Sequence, residues 1–486
     1  MCLRDLFANA QAPEGVAIVA LGGYGRATLS PGSDIDLLVV HDGANPEQIA
    51  ALAERLLYPL WDAGLRVGHA LRTAEECRAV AFEHLDVTTA MLDGRALAGD
   101  DAVWAGAREP ILAAVRADPR AFASELRVDA ASRRERHGAV SCLLEPDLKD
   151  GAGGLRDAQA LGWLEAAIDE TLEDAGLLRA AERDAVADAE EFLVRVRSAL
   201  HLETERPTQR LLLELQPIIA SAMGFVDEPG LIAVDGLMRS VFEHARQLEH
   251  VGSAVFDRFL RGAASKLPLD PTPAGIQRTF APAARVGGVI PAISLDAVDA
   301  VAVPDVVVWT DDVRDAFLEL LRTGPEAARA LETLDRLGLL VRYLPAWSEV
   351  RCRPQRDPYH RSSVDVHLLD TLAHVSRLFA EPDDDLLAAR ACEVVTDRDA
   401  VLLGALLHDI GKTGEGNHVP AGARIARAAV DPIGLPTATG DLAVFLVAEH
   451  LLLSDTATRR DLDDDELVLD VAARVGVPER LAALYL

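Results

Sequence analysis

Aromatic residues are scarce in this chain of 486 residues, at 5%, although half of all residues are hydrophobic. A core of stacked rings is therefore excluded, and helices packed through aliphatic faces are expected instead. Basic residues are also short, with 48 Lys and Arg against 78 Asp and Glu and a formal net charge of −30. Proteins that bind nucleic acid neutralise phosphates with a basic surface, so this balance argues against a nucleic-acid partner. It reads as a solvated, soluble surface. The five cysteines (Cys2, Cys77, Cys142, Cys352, Cys392) are scattered and never form a C-x-x-C pair. That excludes a disulfide framework and a thiolate zinc site, and points to a reducing compartment. No apolar run approaches a bilayer span and the N-terminus lacks a signal-peptide layout, so no membrane partner and a cytoplasmic location are expected. Glycine-serine and glutamine-rich tracts are absent too, which leaves a globular protein.

The length exceeds what one core holds, and two to four domains are expected. Val16 to Leu21 and Ile35 to Val40 are short apolar runs that read as strands, and Leu65 to Leu71 reads as a third. Pro46 to Leu60 has helical periodicity. From about Ala121 the chain reads as nearly all helix, with breaks near Gly151–Gly154, Pro207, Pro229 and the Pro/Gly-rich stretch Leu267 to Pro291. The acidic runs Glu381 to Asp385 and Asp461 to Glu466 read as solvated loops or helix starts. The expected fold is α+β, a small mixed sheet followed by mostly α-helical domains. The expected boundaries are 1–120, 121–265, 266–350 and 351–486.

The first chemical signal follows the strand VAIVAL. Gly22-Gly23-Tyr24-Gly25-Arg26 leads to Ser33-Asp34-Ile35-Asp36 at the start of the next strand. Glycines after a buried strand let backbone approach a phosphate, and the following helix would add free N–H groups and a positive dipole end. Asp34 and Asp36, two apart on a strand, point the same way. Paired carboxylates beside a phosphate cradle make a Mg2+ site for a nucleoside triphosphate, to which Ser33 would donate. Such a ligand brings its own magnesium and needs no basic surface. A lone G-G or D-x-D is usually a turn or a solvated edge; the ordered set is far more specific. It resembles the DNA polymerase beta-like nucleotidyltransferases, which usually add a third acid on a later strand. Arg66 or Gly68 stands where that acid is sought, with Asp62, Asp86 and Asp93 as alternatives.

Glu145-Pro146-Asp147-Leu148-Lys149 followed by Gly153-Gly154-Leu155-Arg156-Asp157 reads, by composition, as a glycine-interrupted loop entering a helix. As a motif it resembles the bifunctional uridylyltransferase/uridylyl-removing enzymes acting on the PII nitrogen-signalling protein. The likeness continues at Arg197-Ser198-Ala199-Leu200-His201-Leu202, Arg210-Leu211-Leu212, Gln216 and Ile219-Ala220. Most of these helical pieces read as packing, whereas Lys149 and Arg156, cations beside a flexible loop, read as contacts for nucleotide phosphate.

A second signal lies in LLGALLHDIGK, where His408-Asp409 emerges from an apolar helix, with His367 upstream and His418 and His450 downstream. Histidines and a carboxylate converging from several helices suit a divalent metal that activates water. The set resembles the HD phosphohydrolases. That likeness makes His367, His408 and Asp409 metal ligands for Mn2+ or Mg2+, with His418 and His450 as further ligands or phosphate contacts. Lys412 would neutralise a phosphate oxygen and His374 is structural. The family's terminal aspartate would follow a run like Leu481 to Leu486, where this chain ends, and the family's paired ACT modules would lie beyond it. A truncated HD domain with weak removing activity is the expectation.

Together the resemblances imply uridylyl transfer from UTP to PII, and hydrolytic removal at the HD site. The alternatives are adenylyl transfer from ATP, or an impaired module that binds nucleotide and PII. A tRNA CCA-adding enzyme lacks the Glu145 to Asp157 motif, and a guanosine tetraphosphate synthetase/hydrolase places its HD domain first.

Overall fold

The computed structural model describes residues 3–10, 12–43, 46–261, 270, 272–285, 303–355, 362–381, 385–414, 417–459 and 465–486. Cys2 and most of both acidic runs lie outside these residues. The chain forms two compact units, one of residues 1–141, 145–224 and 244–262, the other of residues 142–144, 225–243 and 263–486.

The first unit is built on a four-stranded mixed sheet of order β3-β2-β1-β4, with β1 Val16–Ala20, β2 Ile35–His41, β3 Val67–Thr73 and β4 Arg95–Gly99. β1 runs antiparallel to β2 and β4, while β2 and β3 are parallel. A parallel neighbour needs a crossover, and the helix Pro46–Asp62 supplies it. β1 is buried along its whole length because both faces of the sheet are covered. Val16, Ile18 and Ala20 face Leu52 and Leu56 of that helix, whereas Ala17 and Val19 face Cys77, Met91 and Ile111. Helices Asp101–Ala117, Pro119–His137, Leu155–Ile168 and residues 244–261 of the helix Ala233–Arg261 add a third cluster around Phe122, Leu164 and Val255.

The second unit is helical, with one core from Ala274 to Ala483 that encloses Phe280, Phe317, Tyr343 and Trp347. Within the stretch expected to break helix, Pro273–Arg285 is a helix, and Ile276 and Phe280 are wholly buried. Pro273 stands at its first position, where proline's missing N–H costs nothing, so it starts the helix rather than ending one. Asp385 likewise caps the helix Leu386–Val394, accepting from the backbone N–H groups of Leu387 and Ala388. Residues 437–458 form the one described stretch long and apolar enough to cross a membrane. Leu442, Ala443, Leu446 and Val447 of that stretch are spent on the core.

Candidate functional site

Two centres emerge, one in each unit. In the first, Gly22 adopts a left-handed φ of +51°, and a Cβ there would stand 3.3 Å from the Asp36 carboxylate. Only glycine combines that conformation with that approach. The glycines themselves form a single helical turn, Gly22–Gly25, so the expected dipole contribution reduces to its local N–H groups. Asp36, the second residue of β2, lies directly opposite Gly68 of β3. A Cβ on Gly68 would lie 2.5 Å from Asp36 Oδ1, so no third carboxylate occupies this register position. Arg66 instead forms an ion pair with Asp34 at 3.2 Å. Of the alternatives, Asp86 and Asp93 line the cavity that Asp36 faces. Asp93 is held by Arg26 and by the Trp163 indole N–H. Burial and the Asp34 carboxylate push the Asp36 carboxyl above its ordinary value, against the opposite pull of Lys149.

Two adjoining cavities, of about 300 and 140 Å³, share Gly23, Arg26, Asp36 and Lys149. Lys149 reaches them because its loop is tied at both ends. Asp147 accepts from the backbone N–H groups of Lys149 and Asp150. Asp157 accepts from the Gly153 N–H and from Arg133. Leu148 and Leu211 then bond the loop to residues 209–211. The Lys149 ammonium makes no hydrogen bond among the described residues. Burial, with Arg156, Arg197 and Arg26 nearby, pushes its pKa down, opposed by Asp150. Arg156 lines the larger cavity, leaning on the Trp163 ring and bonded to Gln159. Such a concentration of positive charge beside two carboxylates is what a magnesium-bound polyphosphate neutralises.

Arg197 and His201 stand in a helical stretch that reads as packing, yet both hold the loop in front of Asp34. Arg197 donates to Ser30 Oγ at 2.7 Å, to Ser33 Oγ at 3.1 Å and to Gln209 Oε1 at 2.6 Å. A hydroxyl that accepts from Arg197 keeps its own proton to donate, which frees Ser33 for a phosphate oxygen. His201 Nδ1 accepts from the Gly32 N–H at 3.1 Å, and its Nε2 faces the Thr208 carbonyl at 3.0 Å. The signal was an Arg and a His four apart on one face of the helix Ala180–Thr204.

The second centre gathers five side chains from four helices. His367 stands on Val364–Ala380, His408 and Asp409 end Arg398–Leu407, His418 begins His418–Val430, and His450 ends Thr437–Glu449. Asp409 lies at the centre and is 2% exposed. Its Oδ2 is 3.5 and 3.4 Å from Nε2 of His367 and His408, and its Oδ1 is 3.7 and 3.5 Å from Nε2 of His418 and His450. The two groups that can hold an ion, His367-His408-Asp409 and Asp409-His418-His450, share this carboxylate. His408 and His450 bond backbone carbonyls through Nδ1, which leaves each Nε2 with its lone pair inward. Among the described residues, Asp409 Oδ1 and His450 Nε2 are buried without hydrogen-bond partners. Converging lone pairs with unmet bonding capacity fit a divalent cation.

Burial would raise the Asp409 carboxyl, but His408, His450 and Lys412 hold it far below the carboxylate range. Lys412, expected against a phosphate, bonds Asp409 at 2.7 Å and Gln355 at 2.6 Å. His374 is exposed and outside both groups.

Comparison with known proteins matches three family models: the nucleotidyltransferase domain over residues 4–86, GlnD PII-uridylyltransferase over 121–256 and the HD domain over 364–475. A bifunctional uridylyltransferase/uridylyl-removing enzyme of Streptomyces coelicolor is 37% identical, over 97% of this chain and 58% of the relative. Those of Phenylobacterium zucineum and Xanthomonas euvesicatoria are 34% and 33% identical, over 97% and 98% of this chain. The chain spans 55% and 58% of their lengths. Over nearly its whole length the chain is thus similar to bifunctional uridylyltransferase/uridylyl-removing enzymes, and it carries a nucleotidyltransferase domain that includes the sheet centre, a GlnD PII-uridylyltransferase segment that includes the Lys149 loop and an HD domain that includes the helical centre.

Proposed function

We propose that the first centre transfers the uridylyl group of UTP to a tyrosine hydroxyl of the PII signalling protein, and that the second removes it by hydrolysis. The observation that carries the transferase half is the ring of Arg26, Arg156 and Arg197 around Lys149, facing Asp34 and Asp36. Gly22 and Gly23 admit the triphosphate to the backbone, Ser33 donates to it, and Lys149 and Arg156 offset its charge. Asp34 and Asp36 would hold magnesium, which would screen the phosphates and polarise the phosphorus. The acceptor oxygen then bonds to the α-phosphorus as pyrophosphate leaves. Asp86, on the wall of the same cavity, is at hand for the hydroxyl proton. UTP as donor follows the names of the relatives.

In the second centre, His367, His408, Asp409, His418 and His450 would hold Mn2+ or Mg2+. When bound, such a cation lowers the pKa of water and acts as a Lewis acid on phosphate. Water cleaves the phosphorus–tyrosine oxygen bond, and that oxygen takes a proton. The buried Asp409 keeps its charge for the ion. Lys412 holds that carboxylate in place from one side.

The test is incubation of the purified chain with PII, magnesium and labelled UTP or ATP, beside Asp36→Ala. Labelling from UTP that disappears in the variant is expected. Labelling by neither nucleotide, or equal labelling by Asp36→Ala, would sink the transferase reading. Release of nucleotide from pre-modified PII with Mn2+ is expected to vanish in His408→Ala, and unchanged release would sink the second half.

A further inference from the structure

A second depression opens beside the catalytic cavity, a groove of about 680 Å³ between the helices Ala74–Glu83, Asp101–Ala117 and Pro119–His137. Leu85, Val115 and Phe122 line it, and Phe82 and Val128 stand on it 61% and 67% exposed. Single exposed apolar residues are ordinary, but two on one groove with an apolar lining mark a contact surface.

Two further observations say what lies there. Leu85 and Asp129 line both this groove and the cavity that contains Asp36, Gly22 and Lys149, so the groove runs into the catalytic cavity. Among the described residues the groove is lined by Glu83, Asp118, Glu125 and Asp129, with His84 beside them, and by no Lys or Arg. Asp118 caps a helix and Asp129 binds Arg133. Glu83 and Glu125 have no ion-pair partner among the described residues. The nucleotide, itself an anion, is repelled by this surface and belongs with the cations around Lys149.

We propose that the groove is the docking site of the acceptor polypeptide. An extended segment lies along it with an apolar side chain between Phe82 and Val128. A lysine or arginine sits against Glu83 and Glu125, and the modified hydroxyl enters the cavity past Leu85 and Asp129. The assignment rests on the transferase reading above. In an extended chain successive residues advance about 3.3 Å and alternate in direction, so an anchor two residues from the modified hydroxyl faces the same side.

The experiment uses PII as acceptor and compares the wild-type chain with Val128→Asp and Glu125→Lys, both at exposed positions outside the catalytic machinery. Steady-state labelling gives KM for PII and for UTP separately. Calorimetric titration with MgUTP confirms folding, and immobilised PII reports binding directly. The expected result is a KM for PII raised at least tenfold in both variants, weakened binding to immobilised PII, and KM for UTP and kcat within twofold. Variants that label and bind PII like the wild type would overturn the groove while leaving the transferase reading intact. A wild-type chain that binds MgUTP but neither labels nor binds PII would overturn both.

Discussion

Replacing Arg197 with lysine keeps the charge and removes the fork, and so isolates what the guanidinium geometry contributes. Three oxygens depend on it, on Ser30, Ser33 and Gln209, at 2.6 to 3.1 Å. Arg197 is 8% exposed and Ser30 only 2%. A lysine ammonium is a single point donor and cannot span the three. Hydrogen bonds to charged groups contribute about 1.5–3 kcal/mol, and a buried acceptor left unsatisfied costs about 1–3 kcal/mol. With one or two of the three bonds recovered, Arg197→Lys should destabilise the sheet-bearing unit by about 2–3 kcal/mol. For a unit of this size that lowers the midpoint by about 5–10 °C. Because the fork also orients Ser33, loss of one productive hydrogen bond should weaken MgUTP about tenfold, or about 1.4 kcal/mol. Differential scanning calorimetry and isothermal titration with MgUTP, without acceptor, read the two effects. Arg195→Lys, an exposed position on the same helix, is the control. A variant within about 0.5 kcal/mol of wild type that binds MgUTP equally well would refute the claim that this fork holds the loop; that margin is typical of neutral surface changes.

Burial and the Arg197 charge hold His201 down at about 4, so the folded chain keeps it neutral while an unfolded histidine titrates near 6.5. The unfolded state therefore binds more protons between these values. The contribution of His201 is complete above pH 6.5 and falls away towards pH 4, by at most about 3 kcal/mol. His201→Asn should flatten that part of the stability profile in urea titrations from pH 4 to 7, and an unchanged slope would count against it. At the HD centre, Mn2+ at a hundred times its Kd should stabilise the chain by about 2.7 kcal/mol. Asp409→Asn should abolish this shift in scanning calorimetry with Mn2+ or chelator, and retention of the full shift would exclude Asp409 as the shared ligand. Gly162 lies in the helix Leu155–Ile168 with open space around it, so Gly162→Ala should stabilise by about 0.5–1 kcal/mol. A Cβ on Gly404 would meet Leu446 at 2.8 Å, so Gly404→Ala should destabilise by about 1–3 kcal/mol despite better helix propensity. Denaturant midpoints decide both signs.

The sequence by itself determined what is local. A buried strand announces itself by composition, so β1 and β2 were legible, as was the turn of glycines between β1 and the paired aspartates. The helix Arg398–Leu407 running into His408-Asp409 was equally plain, because an apolar run ended in two polar side chains. β4 was not legible: Arg95–Gly99 holds small residues without β-branching, and becomes a strand only because β1 offers it an edge. Tertiary structure alone decided three further matters. It placed Gly68 opposite Asp36, a consequence of parallel register that no spacing reveals. It gathered His367, His408, Asp409, His418 and His450 from four helices around one carboxylate. And it brought Arg197 and His201 to a loop more than 160 residues earlier in the chain, turning what reads as helix packing into the support of the site. Periodicity tells which face of a helix is buried; only the folded chain shows which hydroxyls and amides that face meets.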